Sequence, residues 1–240
     1  MAFYKHTFQI GLRDVGTSNE ITNKAILGYF EDIGGLHSDK VGYGLKNIEQ
    51  THLTWILLHW KMQVLKRVTY GETVTVKTWS RYSQKFYSYR DFEMYNEEDE
   101  LVAIATSKWA LIHIDKGLTK IDEALVQKYQ PNPQSVFEII EVEKLKEPLH
   151  YTHSYHYTVL RSNIDVNHHM HNLCYLDLAY EALPEDIYSQ SNFSNIEIMY
   201  KKEAKLGEDL ICLYAKVEEA HYITIKSKDE KQLHAIIKLS

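Results

Sequence analysis

A chain of 240 residues, 44% hydrophobic with 10 Gly and 4 Pro, fits one large domain or two small ones and is not disordered or fibrous. Its formal net charge of −6 argues against a general binder of nucleic acid or anionic membrane. Two cysteines, Cys174 and Cys212, make neither a disulfide framework nor a CxxC metal pair. The opening MAFYKHTFQI lacks the apolar core of a signal peptide, and the apolar run Trp55–Trp60 is too short to span a bilayer. The expectation is a soluble, cytoplasmic protein.

In chain order, residues 21–38 carry Ile26, Leu27, Tyr29, Phe30 and Ile33 at helical spacing, with Thr22 or Asn23 as N-cap and Gly34-Gly35 as the stop. Strand-like runs follow at 53–65, 72–80, 85–95 and 100–114, with the turn Asn96–Asp99 between the last two. Residues 126–148, with Pro131, Pro133, Pro148 and a charged stretch, read as a connector. The second half repeats this order. A strand at 152–160, a polar stretch and a helix at 172–182 precede strands at 194–203, 208–217 and 220–240, the last split into a hairpin at Lys226–Lys231. Eighteen Tyr, 7 Phe and 4 Trp suit either a sheet-rich fold or an aromatic-lined cavity.

The halves overlay. Asn23–Tyr29 matches Asn172–Leu178, Tyr70–Val74 matches Leu206–Leu210, and Leu101–Ala105 matches Leu233–Ile237, at a falling offset that places deletions in the second copy's loops. Two tandem units of α+β class are expected, each a helix covered by an antiparallel sheet. They span 1–125 and 149–240, with 126–148 between them.

Chemistry concentrates in Arg161-Ser-Asn-Ile-Asp165-Val-Asn167-His168-His169-Met-His171-Asn172, just before a helix N-terminus. On an extended loop, Asp165, Asn167 and His169 would alternate onto one side. Unpaired N–H groups of the helix would favour an oxyanion beside them. That suits acyl transfer to water. One of Asn167, His171 and Asn172 is also expected to cap the helix. His168, His169 and His171 do not have a zinc spacing, so no metal is expected. No GxSxG elbow surrounds Ser154, Ser162, Ser189 or Ser191, and no phosphate-cradling glycine loop occurs, so no cofactor is expected either. Cys174 and Cys212 read as packed thiols.

Asp165-Val-Asn-His-His169-Met-His-Asn172 resembles the D-x-N-x-H-x-N-N signature of acyl-acyl-carrier-protein (acyl-ACP) thioesterases. Ile196-Glu-Ile-Met-Tyr200-Lys-Lys-Glu203-Ala-Lys205 resembles that family's second block, in which a tyrosine and two basic residues precede a catalytic glutamate. Arg13-Asp-Val, Glu31, His37, Thr78-Trp79, Arg90 and Ser107-Lys-Trp109 resemble its N-terminal pattern. Two positions depart from it: Ala204 stands where plant members often carry cysteine, and His171-Asn172 replaces Asn-Asn.

The resemblance implies a double hot-dog fold and hydrolysis of fatty acyl-ACP, with Asp165, Asn167, His169 and Glu203 catalytic and water attacking directly. In that reading Glu203 is the general base, His169 is oriented by Asp165 and polarises the carbonyl, and Asp165 and Glu203 can exchange roles. Asn172 would contact substrate through the helix start. The acyl chain would lie among Ile26, Tyr29, Phe30, Ile33, Trp55, Leu57 and Trp109, each equally readable as core. Lys201, Lys202 and Lys205 would dock the acidic carrier protein, and a homodimer would fit the habit of such folds. The alternatives are an acyl-CoA thioesterase and a non-catalytic acyl-thioester sensor.

Overall fold

The computed structural model describes residues 3–189 and 192–240. Of the residues weighed from sequence, Ser191 lies outside them. The chain divides into two compact units, Met1–Val142 and Glu143–Ser240.

The first unit runs β1 (Tyr4–Gln9), α1 (Asn23–Val41), a short 3-10 turn and α2 (Ile48–Thr51), then β2 (Leu53–Val64), β3 (Thr73–Gln84), β4 (Tyr87–Tyr95), β5 (Leu101–His113), β6 (Gly117–Leu118) and α3 (Glu123–Tyr129). Its strands pair antiparallel in the order β1-β3-β4-β5-β2, and β6 folds back on β5. Thr22 caps α1 by accepting the Ala25 N–H at 3.2 Å. Ile26, Leu27, Phe30 and Ile33 form its buried stripe. Phe30 packs on Trp60 and Phe92 with ring centroids 6.3 and 5.1 Å away.

Gly34-Gly35 does not stop α1. The helix continues to Val41 and ends on Gly42, whose φ of 88° is the left-handed conformation that glycine adopts without strain. Helical glycine costs about 1 kcal/mol relative to alanine. Burial of Ile33, Gly34, His37 and Ser38 offsets that cost, because tertiary packing outweighs propensity.

The stretch expected as a connector is tied to the first unit as far as Val142. Asp122 caps α3, whose Leu125 and Tyr129 pack with Leu111 and Ile121. Beyond it, Trp79 donates to the Gln134 carbonyl at 3.0 Å, Tyr89 to Glu141 at 2.7 Å, and Arg81 to Ser135 Oγ at 2.8 Å and to the carbonyls of Ile139 and Ile140. The cause is a buried ion pair. Arg81 Nε lies 3.6 Å from Asp91 Oδ1, and buried charges require further polar partners. The chain supplies them, including the Val136 N–H donated to Asp91 Oδ2 at 2.9 Å.

The second unit runs β7 (His153–Thr158), α4 (Asn172–Glu181), α5 (Glu185–Tyr188), β8 (Asn195–Tyr200), β9 (Asp209–Val217), β10 (Ala220–Ser227) and β11 (Leu233–Leu239). Its antiparallel order is β8-β11-β10-β9-β7. From one edge, both sheets therefore read first, third, fourth, fifth, second strand. Gly71 and Gly207, overlaid by sequence, both take positive φ (89° and 77°) in the turns before β3 and β9. Two tandem hot-dog units make up the chain. Among the described residues no helix is long and apolar enough to cross a membrane.

Candidate active site

The Asp165–His169 segment is a tight turn rather than an extended loop. Ile164 bridges Met170, Asp165 N–H donates to the His169 carbonyl at 2.9 Å, and His168 N–H donates to the Asp165 carbonyl at 3.1 Å. His168 takes a left-handed φ of 62°. Asp165 causes the turn, because its Oδ1 accepts the Asn167 N–H at 2.8 Å and the His169 N–H at 3.4 Å. Its Oδ2 lies 3.5 Å from the Asn167 amide nitrogen. Asp165 thus orients His169 through the backbone, not through the ring.

The carboxylate beside the imidazole is Glu203. His169 Nε2 lies 3.9 Å from Glu203 Oε1, with the two side chains 37% and 48% exposed. The two loops are stitched together by the Met170 N–H, which donates to the Ala204 carbonyl at 2.9 Å. Ala204 is buried, and its N–H donates to the Tyr175 hydroxyl at 2.9 Å. The position that could have carried a cysteine is a backbone clamp here.

The start of α4 is fixed by His171, whose Nδ1 accepts the Leu173 N–H at 3.2 Å, and by Tyr200, whose hydroxyl donates to the Asn172 carbonyl at 3.1 Å. The cap expected from sequence is therefore His171. The Asn172 N–H meets no acceptor among the described residues.

Three residues that sequence reasoning missed shape the site. Asn163 accepts from Tyr157 (2.8 Å) and from the Leu160 N–H (2.7 Å), and its carbonyl accepts the His171 N–H at 2.8 Å. Buried His234 places Nδ1 3.0 Å from the Lys202 carbonyl and Nε2 3.2 Å from Glu208 Oε1. It pins both ends of the turn carrying Glu203. Tyr175 is the third. No local motif marked Tyr175 or His234, since each meets a backbone group about 30 residues away, and the partners of Asn163 lie close to it in sequence without forming a recognised motif.

Cys212 is buried, and burial pushes its thiol up to about 12, which makes it inert as a nucleophile. Cys174 is half-buried 3.8 Å from the Asn163 amide nitrogen. Lys201, Lys202 and Lys205 are exposed around Glu203, and Lys202 reaches the Gln232 amide oxygen at 3.4 Å. Among the described residues no cluster of three or more His, Cys, Asp or Glu could hold a metal ion.

In the first unit, Ile26, Phe30, Ile33 and Leu57 are all 3% exposed or less. Trp109 stands opposite Leu57 in the β2–β5 register, and the polar atoms of Tyr29, Trp55 and Trp109 are each engaged. Tyr29 stacks on Phe8 at 4.5 Å and donates to Asp14 at 2.7 Å. Trp55 belongs to the Leu111–Tyr129 cluster and donates to the Tyr129 hydroxyl at 3.2 Å. Trp109 donates to Ser107 Oγ at 2.6 Å.

Two hot-dog units, the second holding a His–carboxylate pair at a helix start, define the class of protein. The sequence pattern of the Acyl-ACP thioesterase N-terminal domain matches residues 1–129 and that of the C-terminal domain matches residues 146–238, so the chain belongs to the acyl-ACP thioesterase family. It is 22% identical over 220 residues to an oleoyl-acyl carrier protein thioesterase of Coriandrum sativum, covering 84% of this chain and 59% of that protein. With oleoyl-acyl carrier protein thioesterase 1 of Arabidopsis thaliana it shares 23% identity over 84% of this chain and 60% of the other. The chain thus spans about three-fifths of the length of these chloroplastic relatives. An acyl-ACP thioesterase structure from Bacteroides thetaiotaomicron superimposes with a TM-score of 0.87, at 18% identity over 99% of this chain and 97% of the other. The 12:0-ACP thioesterase of Umbellularia californica gives 0.83 at 20% identity, over 100% and 97%. These two structures share the fold.

Proposed function

We propose that the protein hydrolyses the thioester of a fatty acyl-ACP, releasing a fatty acid and the carrier's free thiol. The observation that carries this reading is the facing of His169 and Glu203 across 3.9 Å, held by the Met170–Ala204 hydrogen bond. That gap exceeds a hydrogen bond and suits a water bridging the two groups. Asp165 Oδ1 already accepts two backbone amides, whereas Glu203 has lone pairs to spare, which favours Glu203 as the general base.

Glu203 takes a proton from the water as its oxygen attacks the thioester carbon. Negative charge develops on the carbonyl oxygen, toward which the Asn172 N–H and the Asn167 amide can donate. Collapse breaks the carbon–sulfur bond, and the departing thiolate regains the proton from Glu203, with His169 as the relay. The acyl chain is assigned to the apolar face of α1 (Ile26, Phe30, Ile33), since Tyr29 and Trp55 are engaged elsewhere. Lys201, Lys202 and Lys205 offer the acidic carrier protein a basic surface. Two free cysteines favour a cytoplasmic setting.

Thiol release from matched acyl-ACP and acyl-CoA panels tests the assignment. Faster turnover of the ACP series, lost in Glu203→Ala, is expected. Preference for acyl-CoA would transfer the reading to an acyl-CoA thioesterase, and acyl binding without turnover would transfer it to a sensor.

A further inference from the structure

Several residues of the N-terminal pattern have no part in the proposed chemistry, yet they meet at one place in the first unit. Arg90 is buried on β4. Its Nη1 donates to His37 Nδ1 at 3.0 Å and to Thr78 Oγ1 at 3.1 Å, and its guanidinium lies 5.6 Å from the Tyr129 ring centroid. None of these partners is an anion, and a buried cation without one is costly. Because Arg90 can only donate, His37 Nδ1 must accept, and the ring proton resides on Nε2. His37 is only 2% exposed, stacked on Tyr4 at 5.5 Å, and its Nε2–H meets no acceptor among the described residues.

His37 lines a cleft of about 240 Å³ with Tyr4, Lys40, Val41 and Lys128. That is below the roughly 300–1,000 Å³ of pockets that take drug-sized ligands, and it suits a small group. Lys40 and Lys128 are exposed at the ends of α1 and α3. Their ammonium groups lie over the Tyr4 and Tyr43 rings, and neither has a carboxylate partner among the described residues. The carboxylate of Asp39, next in sequence to Lys40, faces Lys46 at 3.6 Å.

The geometry points to a phosphate-binding site in this cleft. Lys40 and Lys128 supply the charge, His37 Nε2–H is the directional donor, and Arg90 behind it fixes the tautomer and leaves an unmatched positive charge for the ligand to meet. Two sources share that chemistry: the phosphate of a phosphopantetheine arm, and free phosphate. The site rests on the first unit's own residues and does not depend on the thioesterase reading.

The test is titration of the full chain at constant ionic strength with inorganic phosphate, 4′-phosphopantetheine and phosphate-free pantetheine. Binding is read by calorimetry and by the His37 ring-nitrogen resonances, neither of which requires turnover. The two phosphate-bearing probes should bind and shift the Nε2 resonance, and pantetheine should do neither. Lys40→Gln/Lys128→Gln, which alters exposed side chains only, should weaken binding about tenfold or more, equivalent to about 1.4 kcal/mol. His37→Phe should also abolish specific binding. A phosphopantetheine affinity about tenfold above that of phosphate identifies the arm as the source, and equal affinities identify free phosphate. No response to either phosphate, equal binding of pantetheine, or unchanged affinity in the double-lysine variant would overturn the site.

Discussion

Glu203 and Asp165 are both carboxylates, and they differ in what already occupies their oxygens. Asp165 closes its own turn, while Glu203 faces the His169 ring from an exposed position. Glu203→Gln should therefore lower kcat about 10²–10⁴-fold, the range of general-base assistance, with little change in melting temperature. Asp165→Ala should lower kcat and also destabilise the loop by about 1–2 kcal/mol, visible as a lower melting temperature. Equal melting temperatures for the two variants would contradict this division of roles. His37 adds a pH signature. Burial, then Arg90 and Lys40, lower it from 6.5 to about 3, so between those values the unfolded chain binds a proton that the folded one refuses. Stability is complete above pH 6.5 and falls as pH drops toward 3. Chemical denaturation at pH 7 and pH 4.5 should show a loss that shrinks in His37→Gln, provided that variant remains folded.

At the scale of elements, the length of α1 and the fixing of residues 130–142 are each decided by burial. Thr22→Ala removes a cap and should cost about 1 kcal/mol, or 2–4 °C in a chain of this size. Asp91→Ala removes the anion beside buried Arg81 and the acceptor of the Val136 N–H, and should cost about 3–5 kcal/mol. Proteolysis should then cut within 130–142 before it cuts elsewhere. The strand runs from 53 onward, the Asn96–Asp99 turn and both helix starts were legible in sequence, because period and turn chemistry are local, whereas β1 and the two-residue β6 were not read as strands. The continuation of α1 past Gly34-Gly35 was not, because what stabilises it is contact with side chains distant in sequence. The turn at Asp165 was misread as extended for a related reason. Its residues suit either form, and the choice depends on which backbone amides the carboxylate captures.

At the scale of the whole molecule, the proposed recognition of an acidic carrier can be tested apart from the chemistry. Lys201→Glu/Lys202→Glu should raise KM for acyl-ACP several-fold and leave KM for a small thioester analogue unchanged, with kcat similar for both. Parallel effects on the two substrates would remove these lysines from docking. The sequence by itself determined the duplication, the α+β class and most of the strand runs, since periodicity, turn residues and paired motifs are written along the chain. Only the tertiary structure decided that Glu203 rather than Asp165 faces His169, that His171 is the cap, that His234 pins the Glu203 turn, and that Arg90 meets His37 without an anion. Each of these depends on which residues remote in sequence come within 3–4 Å, and packing of the buried faces sets that distance.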